Sequence, residues 1–179
     1  MALTSTIYNF EIELADTDRG VYETLALRVA LHPSEAPEHL WTRLLAYCLE
    51  YVPGLEFSRG ISAGDEPAIW SRDATGRIGS WIEVGTPDAA RLHKAAKSAE
   101  RVAVYTHKEA ATLRQLAGKR IHRGGEISVF ALDRGLVDAL AALLGRRLRL
   151  RLAVTGGQLY LDVAGQSLTG SVAEHRLEG

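Results

Sequence analysis

Apolar and polar residues alternate with a period of two at the start of the chain. Within residues 6–14 the apolar side chains alternate with Glu11 and Glu13, and the same alternation returns over residues 25–31. A period of two is typical of a strand with one buried face. Turn-forming residues occupy positions 16–20 between the two segments, so the pattern predicts an antiparallel hairpin.

The period changes to that of a helix after Ser34. Apolar residues then recur three or four positions apart and predict one buried helix face over residues 35–51, made of Leu40, Trp41, Leu44, Leu45 and Cys48. Ser34 is the predicted N-cap, and Pro37 is tolerated in the first turn. A Pro-Gly pair at residues 53–54 ends this helix.

The rest of the chain alternates short strands with helices. Strands are predicted over residues 55–61, 68–70, 78–82, 102–105, 126–132, 148–154, 158–163 and 168–172, and helices from residue 86, over 107–117 and over 133–144. Thr86 and Asp133 are the predicted caps of two of these helices. Because no linker, repeat or low-complexity tract divides residues 1–179, we expect one mixed α/β or α+β domain.

Two of these strands are predicted to bring acidic residues together. Turn formers at residues 73–76 predict a hairpin, and centring its loop on Thr75 places Asp65 and Glu83 on one sheet face as diagonal neighbours. Their backbones would then lie roughly 7 Å apart, close enough for the carboxylates to share one divalent cation. A slip of one residue would turn Asp65 to the opposite face and bring Glu66 to the site instead.

Composition limits the classes of protein that this chain can belong to. The chain has 179 residues, of which 46% are hydrophobic, so it can close a core without cross-links. A single cysteine, Cys48, and the absence of a leader or an apolar run near 18 residues predict a protein of the reducing cytoplasm with no membrane span. A net charge of -1 favours no general affinity for nucleic acid, so any phosphate-binding surface must be local. The oligomeric state stays open.

Short motifs along nearly the whole chain are specific in combination. They are Thr6-Ile7-Tyr8, His32-Pro33-Ser34-Glu35, Arg43-Leu44-Leu45-Ala46-Tyr47, Phe57-Ser58-Arg59-Gly60, Asp65-Glu66-Pro67, Trp81-Ile82-Glu83, Pro87-Asp88, Arg91-Leu92 and Lys94-Ala95. On these residues the chain resembles the YaeQ family. Its middle portion follows the α-β-β-β-α-β order of the PD-(D/E)XK nuclease core, so the resemblance implies a restriction-endonuclease-like core with an N-terminal hairpin and C-terminal antiparallel strands. It implies no established activity.

The resemblance assigns the acids of the nuclease motif to Asp65 and Glu83. The motif has a lysine two residues after the second acid, where this chain has Gly85. In divergent members of the superfamily the lysine lies on the following helix, and Lys94 would fill that role here. Arg91 lies closer to the apolar side of that helix, so we expect it to compete with Lys94 for the position of the catalytic cation.

First-helix glutamates supply a third acid in related folds, and Glu35 or Glu38 would do so here. Hydrolysis of a phosphodiester needs a hard cation, Mg²⁺ or Mn²⁺ in its place, held by carboxylates and water. The cation polarises the phosphoryl oxygen and lowers the pKa of a bound water, while a neighbouring lysine stabilises the developing charge. The six histidines lack the spacing of a zinc site and predict surface or capping roles.

Each acid also has a structural interpretation. Asp65 and Glu66 beside Pro67 are typical of a loop that leads into a strand. A carboxylate at Glu83 on a buried strand is costly to leave unpaired, so a buried salt bridge to Arg59 or Arg91 would explain it without catalysis.

The basic run at Arg147, Arg149 and Arg151 has two interpretations as well. Arginines at alternate positions of a strand would follow successive phosphates. They would equally form the wet face of an antiparallel sheet, paired with Glu11 and Glu13 of the first hairpin, and we favour this second interpretation.

Two functions remain open at this point. The first is a metal-dependent phosphodiesterase or nuclease of unknown substrate, in which Asp65 and Glu83 bind the metal ion. The second is a non-catalytic descendant of the nuclease fold that acts as a nucleic-acid-associated or regulatory binding module. Gly85 in the lysine position and the net charge of -1 favour the second function, whereas the joint presence of Asp65, Glu83 and a nearby cation favours the first.

Overall fold

The computed structural model describes residues 4–59 and 64–177. Its strands are β1 (Thr6–Asp16), β2 (Val21–Leu31), β3 (Glu56–Phe57), β4 (Ile69–Arg72), β5 (Ile78–Val84), β6 (Ala99–Thr106), β7 (Ser128–Leu132), β8 (Arg147–Thr155), β9 (Gln158–Val163) and β10 (Gln166–Arg176). Its α-helices are α1 (Pro37–Leu49), α2 (Ala89–Ser98), α3 (Glu109–Leu116) and α4 (Arg134–Ala142). This is a mixed α/β fold, and the predicted order of its elements is confirmed.

All ten strands join in one sheet with the order β2-β1-β8-β9-β10-β7-β6-β5-β4-β3. The pairs β1/β8, β5/β6 and β6/β7 are parallel, and the other neighbours are antiparallel. Parallel neighbours require a crossover connection, which α2 supplies between β5 and β6 and α3 between β6 and β7. No helix in residues 4–59 and 64–177 is long and apolar enough to cross a membrane.

Helix α1 is buried on all sides, whereas the sequence predicts a single buried face. Every residue from Leu40 to Cys48 is buried, including the polar Thr42 and Arg43. The sheet curves around the helix, and its two edge strands both contact Arg43. The guanidinium donates to the Ala30 carbonyl of β2 at 2.6 Å and lies 6.0 Å from the centre of the Phe57 ring in β3.

A second core covers the other face of β4 to β7. There α2 and α3 contribute Leu92, Ala95 and Leu116, which pack against the tryptophans of β4 and β5 and the valines of β6. Strand β6 is therefore covered on both faces, which explains why residues 102–105 are apolar without alternation. Strands β1, β2, β8, β9 and β10 instead keep one face in contact with solvent.

The arginines of β8 lie on that solvent face and pair with the glutamates predicted for them. Arg149 contacts Glu11 at 2.9 Å and Arg151 contacts Glu13 at 2.8 Å. The prediction of these partners is confirmed, although β1 and β8 run parallel rather than antiparallel.

Cys48 is fully buried in the α1 core, as predicted for a packed thiol. Burial raises its pKa to about 12, so the thiol stays protonated at physiological pH.

Two predicted helix caps are wrong, and one is confirmed. Helix α1 begins at Pro37 after Ala36, while the Ser34 hydroxyl contacts the His32 ring at 2.7 Å instead of capping the helix. Helix α2 is capped by Asp88 rather than Thr86, since the Asp88 carboxylate accepts from the Arg91 backbone N–H at 2.8 Å. Asp133 caps α4 as predicted.

The strand predicted over residues 55–61 is much shorter in the described part of the chain. Only Glu56–Phe57 forms β3, and residues 60 and 61 lie outside the described residues.

The register of the β4/β5 hairpin differs by one residue from the centred prediction. Trp70 pairs with Trp81 and Ile69 with Ile82, because a bulge between Ser71 and Arg72 absorbs one residue near the turn. Continuing this register by one position sets Ala68 opposite Glu83. The predicted register, which makes Asp65 the diagonal neighbour of Glu83, is therefore wrong, and the alternative register that favours Glu66 is the observed one.

The packing of α4 on β10 yields a stability prediction. A Cβ on Gly170 would lie 2.8 Å from the Cβ of Leu136, so we expect Gly170→Ala to lower the free energy of unfolding by about 1 to 3 kcal/mol. Gly64→Ala is the matched control, since a Cβ there meets no atom within 4 Å. Urea denaturation of both variants measures the difference, and equal stability would contradict the close packing of α4.

Candidate functional site

Three adjoining pockets surround the first half of α1, and we refer to them together as the α1 cleft. One, of about 290 Å³, lies between α1, the ends of β5 and α2, and residues 64–68. The second, of about 280 Å³, lies between α1, β2 and β3, and the third, of about 600 Å³, reaches from the start of α1 to His107. Arg43 lines the first two pockets, and His39 lines the first and third.

Glu83 lies in the wall of the first pocket and is only 5% exposed. One carboxylate oxygen, Oε1, accepts hydrogen bonds from the Trp81 indole at 2.7 Å and from the Arg91 guanidinium at 2.6 Å. Burial raises the pKa of Glu83, and the contacts with Trp81 and Arg91 offset only part of that effect. The predicted buried salt bridge exists, and Arg91 is its cation.

Arg91 binds three oxygen atoms at this point. Besides Glu83, its guanidinium donates to the Gly64 carbonyl at 2.6 Å and to the Glu66 carbonyl. The side chain therefore joins the start of α2, the end of β5 and the segment before β4. A carboxylate and two carbonyls around one positive charge resemble the oxygen shell of a hard cation, with the guanidinium in the place of the ion.

The other predicted acids of the hairpin lie outside this arrangement. Asp65 is exposed and does not line the pocket. Glu66 lines it, but its carboxylate pairs with Arg59 at 3.0 Å. The residue opposite Glu83 in register is Ala68, which lines the pocket and has no metal-binding group.

Neither of the two positions considered for the catalytic lysine brings a lysine to Glu83. Lys94 is exposed on α2 and does not line the first pocket. Gly85 has a φ of 107°, which disfavours any other residue there. Of the two cations expected to compete, the fold brings Arg91 to Glu83.

The glutamates of the α1 start lie in the cleft but not beside Glu83. Glu35 accepts from the His39 Nδ1 at 2.9 Å and from the His32 backbone N–H at 3.1 Å, and it lies 3.4 Å from Arg43. Burial alone would raise the pKa of Glu35, but these contacts outweigh it and hold the pKa below its usual value. Glu38 lines the third pocket.

These residues do not fit a divalent metal ion as they are arranged. Within residues 4–59 and 64–177, no group of three or more His, Cys, Asp or Glu side chains converges as metal ligands would. Glu83 is bound by Arg91 and Trp81, and Glu35 by His39 and Arg43. The carboxylates therefore already have cations of the chain itself.

Arg43 and His39 are cleft residues for which the sequence predicted no role at the site, although Arg43 belongs to one of the family motifs. Arg43 is 5% exposed, and its Nε has no hydrogen-bond partner among the described residues. An arginine within a mostly apolar part of the predicted helix is a weak signal, since full burial depends on the sheet closing around α1. The spacing of Glu35 and His39 by four residues indicates their contact.

The charge of the α1 cleft differs from that of the whole chain. Among the described residues, six positively charged side chains line its three pockets: Arg28, Arg43, Arg59, Arg91, Lys108 and Arg134. Four carboxylates do so: Glu35, Glu38, Glu66 and Glu83. Burial, followed by Arg134 and Lys108, lowers the pKa of His107, so that ring adds no charge at neutral pH. The cleft is thus positive on a chain of net charge -1.

The raised pKa of Glu83 gives a pH dependence of stability. A carboxyl with a raised pKa in the folded state stabilises the fold below its ordinary value of 4.5 and loses this contribution as the pH rises through the native value. Glu83→Gln imitates the protonated form, so we expect the stability of the variant relative to the native protein to increase as the pH rises from below 4.5 to neutral.

Urea denaturation across this pH range measures the difference between the two proteins. Glu100→Gln, which removes an exposed carboxylate paired with Arg77, is the control and should show no such trend. A constant difference between native protein and Glu83→Gln would contradict the burial of an ionisable Glu83.

Comparisons with known proteins all indicate the same family. The sequence matches the family model described as YaeQ protein over residues 1–172. It is 36% identical to the uncharacterized protein YaeQ of Salmonella typhi over 170 residues, 94% of each chain. It is 35% identical to that of Escherichia coli (strain K12) over 165 residues, 90% of this chain and 91% of the relative.

Two solved structures resemble the whole fold. The YaeQ protein from Xanthomonas axonopodis pv. citri has a TM-score of 0.88 and 32% identity, over 98% of this chain and 100% of that one. The YaeQ protein from Pseudomonas syringae has a TM-score of 0.84 and 31% identity, over 97% of each chain. On the family match and these relatives, the chain belongs to the YaeQ family.

Proposed function

We propose that this protein is a non-catalytic descendant of the PD-(D/E)XK nuclease fold that binds nucleic acid in the α1 cleft without a metal ion. The observation that carries the proposal is the contact of Arg91 with Glu83, Gly64 and Glu66. A guanidinium stays protonated at all physiological pH values, so it neutralises this site permanently.

The apparatus for metal-dependent hydrolysis is incomplete around Glu83. The position opposite it holds Ala68, and the position of the motif lysine holds Gly85 with a positive φ. Hydrolysis would need a hard cation with water in its open positions and a second group to stabilise the transition state. Arg91 already takes the charge of Glu83, which favours a structural role for this carboxylate.

The same cleft has features that favour a phosphate-bearing ligand. Its six permanent cations exceed its four carboxylates, and Lys108 and Arg28 line it without an ion pair among the described residues. Contacts of Lys and Arg with phosphates supply most of the sequence-independent affinity of proteins for nucleic acid. Under this proposal, nucleic acid binds in the α1 cleft and not on the protein surface in general.

A metal-dependent phosphodiesterase is the second candidate function. It is favoured by the element order α1-β3-β4-β5-α2-β6, which is the order of the nuclease core. It is also favoured by Glu83, a buried carboxyl with a raised pKa that lines a pocket. Perturbed carboxyls in clefts are common at catalytic sites. This candidate requires Mg²⁺ or Mn²⁺ to displace Arg91 from Glu83.

Metal binding separates the two functions. We expect no heat of Mg²⁺ or Mn²⁺ binding from the native protein in calorimetry, because Arg91 occupies the oxygen atoms that a cation needs. We expect Ala68→Asp to gain Mn²⁺ binding, since two facing carboxylates exceed the charge of one guanidinium.

Glu83→Gln in the Ala68→Asp background is the control, and it should abolish the gained heat. Native protein that binds Mn²⁺ with a heat removed by Glu83→Gln would contradict the non-catalytic function and favour the phosphodiesterase.

Nucleic-acid binding is tested by fluorescence anisotropy with labelled single-stranded and duplex oligonucleotides in the presence of EDTA. We expect binding that weakens with salt, and we expect Lys108→Glu to lower the affinity about 3- to 10-fold and to reduce the salt slope by about 1.

Lys97→Glu is the matched control for this variant. It makes the same change of charge on the exposed face of α2, outside the cleft, and should leave the affinity nearly unchanged. Equal losses in the two variants, or no binding of any oligonucleotide by the native protein, would contradict the placement of nucleic acid in the α1 cleft.

A further inference from the structure

The second pocket of the α1 cleft lies between the two edges of the sheet and is separate from Glu83. We call it the Arg43 pocket; its walls include Arg28 and Ala30 of β2, His32 and Glu35 before α1, Arg43 of α1, and Phe57 of β3. Its volume is about 280 Å³. It is enclosed by elements that the sheet closure brings together from distant parts of the chain.

Arg43 is a buried cation whose hydrogen bonds are incomplete. Its Nη2 donates to the Ala30 carbonyl at 2.6 Å and lies 3.4 Å from a Glu35 oxygen. Its Nε is buried and has no partner among the described residues. A buried charged group with an unpaired donor is costly, so an anion placed beside the guanidinium would be favoured.

The groups around Arg43 favour an anion. Arg28 and Arg59 line the same pocket, while Glu35 is the carboxylate that lines it. Both oxygens of Glu35 already accept hydrogen bonds, one from the His32 backbone N–H and the other from the His39 ring. Arg43 compensates the charge of Glu35, and Arg59 pairs with Glu66 outside the pocket. Arg28 has no ion pair among the described residues, so the lining of three arginines and one carboxylate keeps an excess of positive charge.

We propose that the Arg43 pocket binds a phosphate monoester, the 5′-terminal phosphate of a nucleic-acid strand whose following nucleotides lie in the rest of the α1 cleft. The proposal rests on the nucleic-acid binding proposed above and names the part of the ligand that each pocket takes. Arginine forks bind phosphate oxygens in pairs, which suits a group with three terminal oxygens.

A terminal phosphate fits this pocket better than an internal phosphodiester. A phosphate monoester carries about -1.5 to -2 charges at neutral pH and has three free oxygens, whereas an internal phosphate carries one charge. Arg43 lines both this pocket and the one beside Glu83, so the nucleotides that follow the terminal phosphate would continue along α1.

The test compares two oligonucleotides of one sequence, one with a 5′-phosphate and one with a 5′-hydroxyl, by fluorescence anisotropy in EDTA. We expect the native protein to bind the phosphorylated strand at least 10-fold more tightly. Inorganic phosphate and a nucleoside 5′-monophosphate are added as competitors, and the mononucleotide should remove the difference at lower concentration than phosphate.

Arg28→Glu removes a cation that the fold does not need, because Arg28 is exposed and lines the pocket. It should abolish the preference for the 5′-phosphate. Arg147→Glu is the matched control: Arg28 and Arg147 pair with opposite sides of Asn9 in the sheet, and Arg147 does not line the Arg43 pocket. This variant should keep the preference.

The outcomes distinguish this proposal from the proposed function. Binding of both strands with equal affinity overturns the terminal-phosphate site and leaves the binding function intact. Equal loss of the preference in Arg28→Glu and Arg147→Glu also overturns it, because the effect would then be general electrostatics. Failure to bind either strand removes the proposed function itself.

Discussion

The burial of one carboxylate on β5 determines how the centre of this molecule is arranged. Glu83 is 5% exposed, and a charge in such a place is stable only beside a compensating cation. Arg91 supplies it and at the same time binds the carbonyls of Gly64 and Glu66. A single ion pair thus fixes the start of α2 against β5 and holds the segment that leads into β4, which together form the wall of the first pocket.

The second constraint is the enclosure of α1 by the sheet. A helix inside a curved sheet has no solvent face, so its polar residues must find partners in the strands that surround it. Arg43 does so at the gap between the two sheet edges, where it contacts β2 and β3. The cleft arises here because the sheet does not close completely, and the side chain that bridges the gap is a cation.

The sequence predicts the strands and helices better than it predicts their registers, boundaries and packing partners. Periodicity and turn residues gave the order of strands and helices, and charge pairing gave Arg149 with Glu11. The bulge between Ser71 and Arg72 leaves no signal in a period of two, so the hairpin register was wrong by one residue. The caps of α1 and α2 were wrong because each helix begins two or three residues later than predicted, at Pro37 after Ala36 and at Ala89 after Asp88.

The site was predictable only in part for the same reason. Glu83 and Arg91 were recognisable, since a polar residue on an apolar strand needs a partner of opposite charge. Arg43 was not, because a helix that looks amphipathic in sequence becomes buried on every side only when distant strands curve around it. Contacts between remote segments leave no periodic pattern in the chain.

A permanent internal cation also changes how the cleft acquires its charge. In a metal-dependent site the positive potential appears when the ion binds and vanishes when it is removed. The guanidinium of Arg91 belongs to the chain itself, so the positive potential at Glu83 is part of the folded structure. The local excess of cations would then attract an anionic ligand directly. Salt screens this attraction, so salt concentration, rather than metal concentration, would govern the affinity. Under the proposed function, a chain of net charge -1 would hold an anion without a cofactor, because the cleft and the rest of the surface carry opposite signs.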